Sequence, residues 1–137
     1  MILVLSKDEM SIEKEQDVVP FLGRVKEHSI KAGLSVINQT KLLTAASELV
    51  RNMLKYAGGG TTLTEIVCKG RENGVRITFA DTGPGISDIN KAMEDGFSTG
   101  KSLGLGLPGA RRLSSEFSIQ STVGQGTTVK IIKWKNG

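Results

Sequence analysis

The chain is poor in several things, and each shortage excludes something. It has one cysteine, Cys68, so no intramolecular disulfide can form, and a reducing compartment is the simplest setting. Cys68 sits in a strand-like run and reads as a small buried hydrophobe rather than a nucleophile. There is one histidine, His28, which reads as a surface residue near a helix C-terminus. No long apolar run is present. Met1 to Leu5 is far too short for a signal peptide or a membrane span, so a cytoplasmic protein with no membrane role is expected. Aromatic residues make up only 4% of the chain, too few to interleave with basic groups as base-stacking platforms. The net charge of +4 comes from Lys and Arg scattered among acids, with no basic run, and no nucleic-acid partner is expected.

What is abundant is glycine, 17 residues, and it clusters after Ala57, which marks it as a clue rather than loop filler. The 137 residues suit one domain spanning the whole chain, 1–137. Ile2 to Leu5 reads as a short strand, and Ile12 as part of a second. Asp17 is a plausible N-cap for a helix that carries Val18, Phe21, Leu22 and Val25 and ends near Gly33. Ser35 caps a long helix that runs to about Ala57 and stops at Gly58-Gly59-Gly60. The period then changes. Leu63 to Lys69 reads as a strand, Glu72-Asn73-Gly74 as a hairpin turn, and Val75, Ile77 and Phe79 as a half-buried strand. An irregular glycine-rich stretch spans Asp81 to Leu103. A helix from about Gly106 to Ser115 follows, then two strands around Phe117–Val123 and Thr127–Trp134. This order predicts an α/β (α+β) two-layer sandwich, a mixed and mostly antiparallel sheet with helices on one face.

The long helix carries an acid, an amide and a cation, Glu48, Asn52 and Lys55, on one side; Leu42, Ala46, Val50, Met53 and Ala57 form its buried stripe. A carboxylate can act as general base, an amide oxygen is a hard ligand for Mg²⁺, and an ammonium suits a phosphate. Alone, the row reads as an ordinary solvated face. The glycine segments add to it. Asp81-Thr82-Gly83-Pro84-Gly85-Ile86 follows a strand end, where a carboxylate can accept from an exocyclic amine such as that of adenine, and Gly83 and Gly85 leave room for a flat base. Gly104-Leu105-Gly106-Leu107 stands before a helix, where free N–H groups and the helix dipole attract an anion. No Gly-Lys-Ser/Thr ending makes it a Walker loop, and no opening strand–glycine–helix unit makes it a dinucleotide fold. Gly124-Gln125-Gly126-Thr127 joins the last strands and alone reads as a hairpin loop.

Taken in order, Glu48…Asn52, Asp81-x-Gly-x-Gly, Gly104-x-Gly and Gly-x-Gly-Thr at 124–127 resemble the four conserved boxes of the GHKL ATPases, the Bergerat-fold superfamily of gyrase, Hsp90 and histidine kinases. The resemblance implies ATP and Mg²⁺ as cofactors. It gives Glu48 the role of base, Asn52 that of Mg²⁺ ligand, and Asp81 that of adenine anchor. Gly83, Gly85 and Ile86 would shape the base pocket, Gly104, Leu105, Gly106 and Leu107 would meet the phosphates, and Thr127 would help close the adenine site. Asn52-Met53-Leu54-Lys55-Tyr56-Ala57 is similar to a histidine-kinase form in which the Lys touches phosphate and the Tyr lines the nucleotide. Residues 85–104 would form an ATP lid, with Lys101 near its end as a sensor of the γ-phosphate.

Within the superfamily the chain is too short for gyrase or Hsp90, and no phosphoacceptor hairpin accompanies His28. Longer matches resemble the small switch serine/threonine kinases of the RsbT and anti-sigma type: Ser47 to Asn52, Asp88-Ile89 with Met93 to Thr99, Gly104 to Leu113, and Ile131 to Trp134. Lys55 departs from that pattern, where a less basic residue is expected. The type implies phosphorylation of STAS-domain partners in a stressosome-like switch and, on release, activation of a phosphatase. The alternatives are an anti-sigma factor that sequesters a sigma subunit, and a non-catalytic ATP-controlled binding module.

Overall fold

Helices cover one face of a five-stranded sheet in this computed structural model, which describes residues 1–94 and 106–137. The elements are β1 (Ile2–Ile12), a 3-10 turn (Glu15–Asp17), α1 (Val18–Lys31), α2 (Val36–Ala57), β2 (Gly60–Lys69), β3 (Glu72–Ala80), α3 (Ile89–Ala92), α4 (Gly106–Leu113), β4 (Glu116–Thr122) and β5 (Gly126–Trp134). The strand order is β1-β2-β3-β5-β4, and every pairing among the described residues is antiparallel. The two-layer α/β sandwich expected from the element order is therefore present, with its sheet antiparallel throughout those residues.

The core lies between the sheet and α1 and α2. Val18, Phe21 and Val25 of α1 and Leu42, Ala46, Leu49, Val50 and Met53 of α2 bury their stripes against Val75, Ile77 and Phe79 of β3 and Ile131 of β5. Phe21 meets Phe79 edge-on, with ring centroids 5.9 Å apart. Ser35 caps α2 by accepting from the Asn38 amide, and Gly58, in the left-handed conformation, ends it.

Four local readings differ from the structure. The first strand is one unit of eleven residues, because β2 pairs along its whole length, with an irregularity between Val4 and Ser6. Asp17 does not cap α1 forwards. Its Oδ2 accepts from the amides of Glu13 and Lys14, which closes the turn before the helix and holds its carboxyl below the ordinary value. The β2–β3 turn is Gly70-Arg71, not Asn73-Gly74, since Lys69 pairs with Glu72 and Cys68 with Asn73. Gly74 is glycine for space: a Cβ there would lie 2.6 Å from the Trp134 ring. His28 is not a surface residue. Its side chain is 13% exposed, its Nδ1 is 2.7 Å from Arg24 O, and Asp8 of β1 lies beside it and ion-pairs with Arg24. Asp8 thus fastens α1 to the edge strand.

The uncovered face of the sheet seals itself. Val67, Ile132 and Trp134 form a second buried cluster there. Trp134 Nε1 donates to Glu116 Oε2 at 2.7 Å, and Arg76 Nε donates to Glu65 Oε1 at 2.9 Å. Both pairs give polar groups a partner where apolar neighbours have displaced water. Among the described residues no helix is long and apolar enough to cross a membrane. One polar atom is left over: Ser6 Oγ is buried without a partner among the described residues. Ser6→Ala is accordingly expected to raise stability by up to about 1 kcal/mol, because it removes an unsatisfied hydroxyl. Urea denaturation checks this, and a loss of stability would show that the hydroxyl has a partner.

Candidate active site

The core stripe of α2 does not end where the core ends. Leu49 and Met53, with Phe79 of β3 and Val129 of β5, continue past the packed interior and become the apolar wall of a cleft of about 490 Å³. Phe79 and Val129 are register partners, so one cross-strand pair supplies the floor. Asn52 and Tyr56 enter from α2, and Asp81, Gly85 and Ile86 from the loop after β3. Gly106 and Leu107 at the start of α4 and Thr127 of β5 complete it. The helix, loop, second helix and hairpin singled out in the sequence thus converge on one space.

Asp81 is the most constrained of these. Its backbone amide donates to Thr127 O at 2.9 Å. Its Oδ1 accepts from the amides of Gly83 at 3.0 Å and Thr127 at 3.1 Å. Those bonds fix the carboxylate through Oδ1, on a residue that lines the cleft. The glycines nearby exist because chains are pressed together. A Cβ at Gly126, whose φ is +129°, would lie 2.0 Å from Asp81 O. A Cβ at Gly85 would lie 2.4 Å from Thr122 O. Gly83 does not line the cleft. A Cβ there would lie 2.5 Å from the Ala57 Cβ, so its role is to let the loop approach the end of α2.

Two further candidates stand apart. Glu48 is half-buried one turn before Asn52, about 6 Å along the helix axis, and is not among the lining residues. Lys55 is exposed, with Nζ 5.1 Å from the Tyr56 ring centroid, and does not line the cleft. Lys101, Gly104 and Leu105, together with Asp95 to Thr99, lie outside the described residues.

The donor set limits what the cleft can hold. Among the described residues no group of three or more His, Cys, Asp or Glu could bind a metal ion. From α2 the lining receives the amide of Asn52 and, one turn on, the phenol of Tyr56. A single amide suits Mg²⁺ that arrives on phosphates and keeps several waters, and it does not suit a resident metal. Gly106, Leu107 and Pro108 at the start of α4 line the same space, and a helix start favours an anion. Apolar walls, a fixed carboxylate, an amide and a helix start on one space are the groups that a flat polar ring joined to phosphates would need.

Sequence reasoning missed Leu49, Met53, Phe79 and Val129, because helical and strand spacing mark them as core, which they also are. It also missed Ser121. This β4 residue accepts from the Ile86 amide at 2.7 Å, contacts Thr127 Oγ1 at 2.8 Å and reaches Gly126 O at 3.2 Å. No local motif marks it; only the register that sets Ser121 opposite Thr127 does so.

Residues 37–136 match the family described as histidine kinase-, DNA gyrase B-, and HSP90-like ATPase. The chain is 44% identical over 123 residues to the serine/threonine-protein kinase RsbT of Bacillus subtilis (strain 168), covering 90% of this chain and 92% of that protein. It is 32% identical over 98 residues to the anti-sigma F factor of Caldanaerobacter subterraneus subsp. tengcongensis, covering 66% of each. Among solved structures, the Acinetobacter baumannii histidine kinase AdeS aligns with 93% of this chain and 68% of its own, at 16% identity and a TM-score of 0.45.

Proposed function

The chain belongs to the histidine kinase-, DNA gyrase B-, and HSP90-like ATPase family, and from that premise we propose that it is a serine/threonine kinase of a bacterial partner switch. It transfers the γ-phosphoryl of ATP to a hydroxyl on a STAS-domain partner. Released from that partner, it binds and activates a phosphatase or similar effector. The setting is the reducing cytoplasm. The observation that carries the reading is the convergence of Asn52, Asp81 and the start of α4 on one space, with Glu48 a turn away.

The division of labour follows from phosphoryl-transfer chemistry, which needs positioning and charge neutralisation more than covalent steps. Asp81 accepts from the adenine amine, and the apolar wall of Leu49, Met53 and Val129 packs on the base. Asn52 holds the Mg²⁺ that the phosphates bring. The N–H groups at the start of α4 receive phosphate oxygens. Glu48, beside the cleft and not in its wall, is free to meet the partner's hydroxyl, orient it and take its proton. Lys55, exposed as it is, serves phosphate only at the mouth of the site. A pure ATP-binding module has no need of the Glu48–Asn52 pair.

The similarity to anti-sigma F factors over two thirds of the chain supports a second reading, in which the chain also sequesters a sigma subunit. The match to RsbT, longer and higher in identity, favours the first. The test is label transfer from γ-labelled ATP with Mg²⁺ to a STAS-domain protein of the same organism. Label on a Ser or Thr of that protein is the expected result. ATP binding without transfer, and with a sigma subunit co-purifying, would overturn the first reading in favour of the second.

A further inference from the structure

We infer that Glu15 is a positioning residue for the phosphoryl-transfer base: it holds the Arg51 guanidinium to one side of α2 and so keeps the Glu48 carboxylate unpaired. The inference rests on the kinase reading above, in which Glu48 meets the partner's hydroxyl, and deepens it. On α2 the residues three and four places from Glu48 are Thr44, Ala45, Arg51 and Asn52. Arg51 is the one cation among them, and an acid and a guanidinium at that spacing attract each other. A carboxylate held in such a pair gives acceptor capacity to N–H donors and is a poorer acceptor for a hydroxyl proton.

Arg51 is turned elsewhere. Its Nη1 donates to Glu15 Oε1 at 2.6 Å, and its Nε donates to Ser47 Oγ at 3.3 Å. Among the described residues no hydrogen bond or ion pair reaches Glu48. Two carboxylates thus lie within reach of one guanidinium, and Glu15 has it. The turn that carries Glu15 explains why. Asp17 closes it by accepting from the Glu13 amide at 2.8 Å and the Lys14 amide at 3.1 Å, so the 3-10 turn presents Glu15 to α2 from a fixed backbone. Ser47 grips the same guanidinium from α2 itself. The pair is exposed, 50% at Arg51 and 68% at Glu15, and an exposed pair adds little to stability. What it decides is the direction in which Arg51 points.

The experiment is single-turnover transfer from γ-labelled ATP to a STAS-domain protein, beside ATP titration, with Glu15→Ala, Arg51→Met and the double variant. The two single changes break the same ion pair but leave different remainders: Glu15→Ala leaves a loose cation beside Glu48, and Arg51→Met leaves none. Glu15→Ala is expected to slow transfer about two- to fivefold, the factor that one exposed ion pair is worth, with ATP affinity unchanged. Arg51→Met should transfer at the wild-type rate, and adding it to Glu15→Ala should restore that rate. Equal losses in the two single variants would make the pair a structural tie between turn and helix and overturn the inference. A double variant as slow as Glu15→Ala, or Glu15→Ala at full rate, would overturn it too. A loss in Arg51→Met alone would make Arg51 a contact of the partner protein instead. Any of these results with Glu48→Gln still slow defeats the inference and leaves the kinase reading standing. Full-rate transfer by Glu48→Gln, or no transfer by the wild-type protein, overturns both.

Discussion

Glu48→Gln is expected to lower phosphoryl transfer by about 10²–10⁴-fold, the range for loss of a general base. ATP affinity should stay within about twofold, because the change removes an interaction made in the transition state and not in the ground state. The geometry supports this split. Glu48 is on α2 but is not among the described residues that line the cleft, so the loss is expected in transfer rather than in binding. The substitution is isosteric on a half-buried helix surface, and glutamine is as good a helix former as glutamate. Single-turnover label transfer, beside nucleotide titration of the same preparation, separates the two effects. Unchanged transfer would remove Glu48 from the mechanism. Transfer and binding lost together would make Glu48 part of the nucleotide site instead.

Much of the fold is written in local patterns, and the parts that are not share a cause. The stripes of α1 and α2, the Ser35 cap and the Gly58 stop are set by residues within a turn or two of each other, so spacing reveals them. Asn73-Gly74 misleads because its glycine answers to Trp134, sixty residues away, and not to a turn. His28 misleads for the same reason, being placed by Asp8 on β1, whereas Asp17 has local partners and misleads only in direction, reaching back over the 3-10 turn instead of forwards. The site divides likewise. Asp81, Gly106 and Thr127 stand in glycine-marked segments and Asn52 in the polar row of α2, and all four are legible as cleft residues. The walls were hidden as core, and Ser121 was hidden because a bond across strands carries no mark in the strand's own sequence. The glycines were legible as a pattern but not as to cause. Gly83 and Gly85, read as leaving room for a base, each sit where a Cβ would strike another part of the chain, Ala57 and Thr122.

Asp81→Asn isolates the last element of the site. An asparagine can keep its side-chain oxygen where Oδ1 now accepts from Gly83 and Thr127, so the loop and hairpin stay joined. What changes is the group facing the cleft: an acceptor becomes an NH₂ donor. Against the adenine amine that is donor facing donor. ATP affinity is expected to fall roughly 10- to 100-fold, the cost of one lost charge-assisted bond with its partner left unpaired. The same change should help inosine triphosphate, whose ring carries an acceptor oxygen where adenine has its amine. The ratio of ATP to inosine triphosphate affinity should therefore fall by more than the ATP affinity itself. A general loosening of the loop would weaken both nucleotides alike and leave the ratio unmoved. Titration of the two nucleotides against both proteins reads the ratio directly, and an unmoved ratio would mean that Asp81 holds the loop in place but does not read the base.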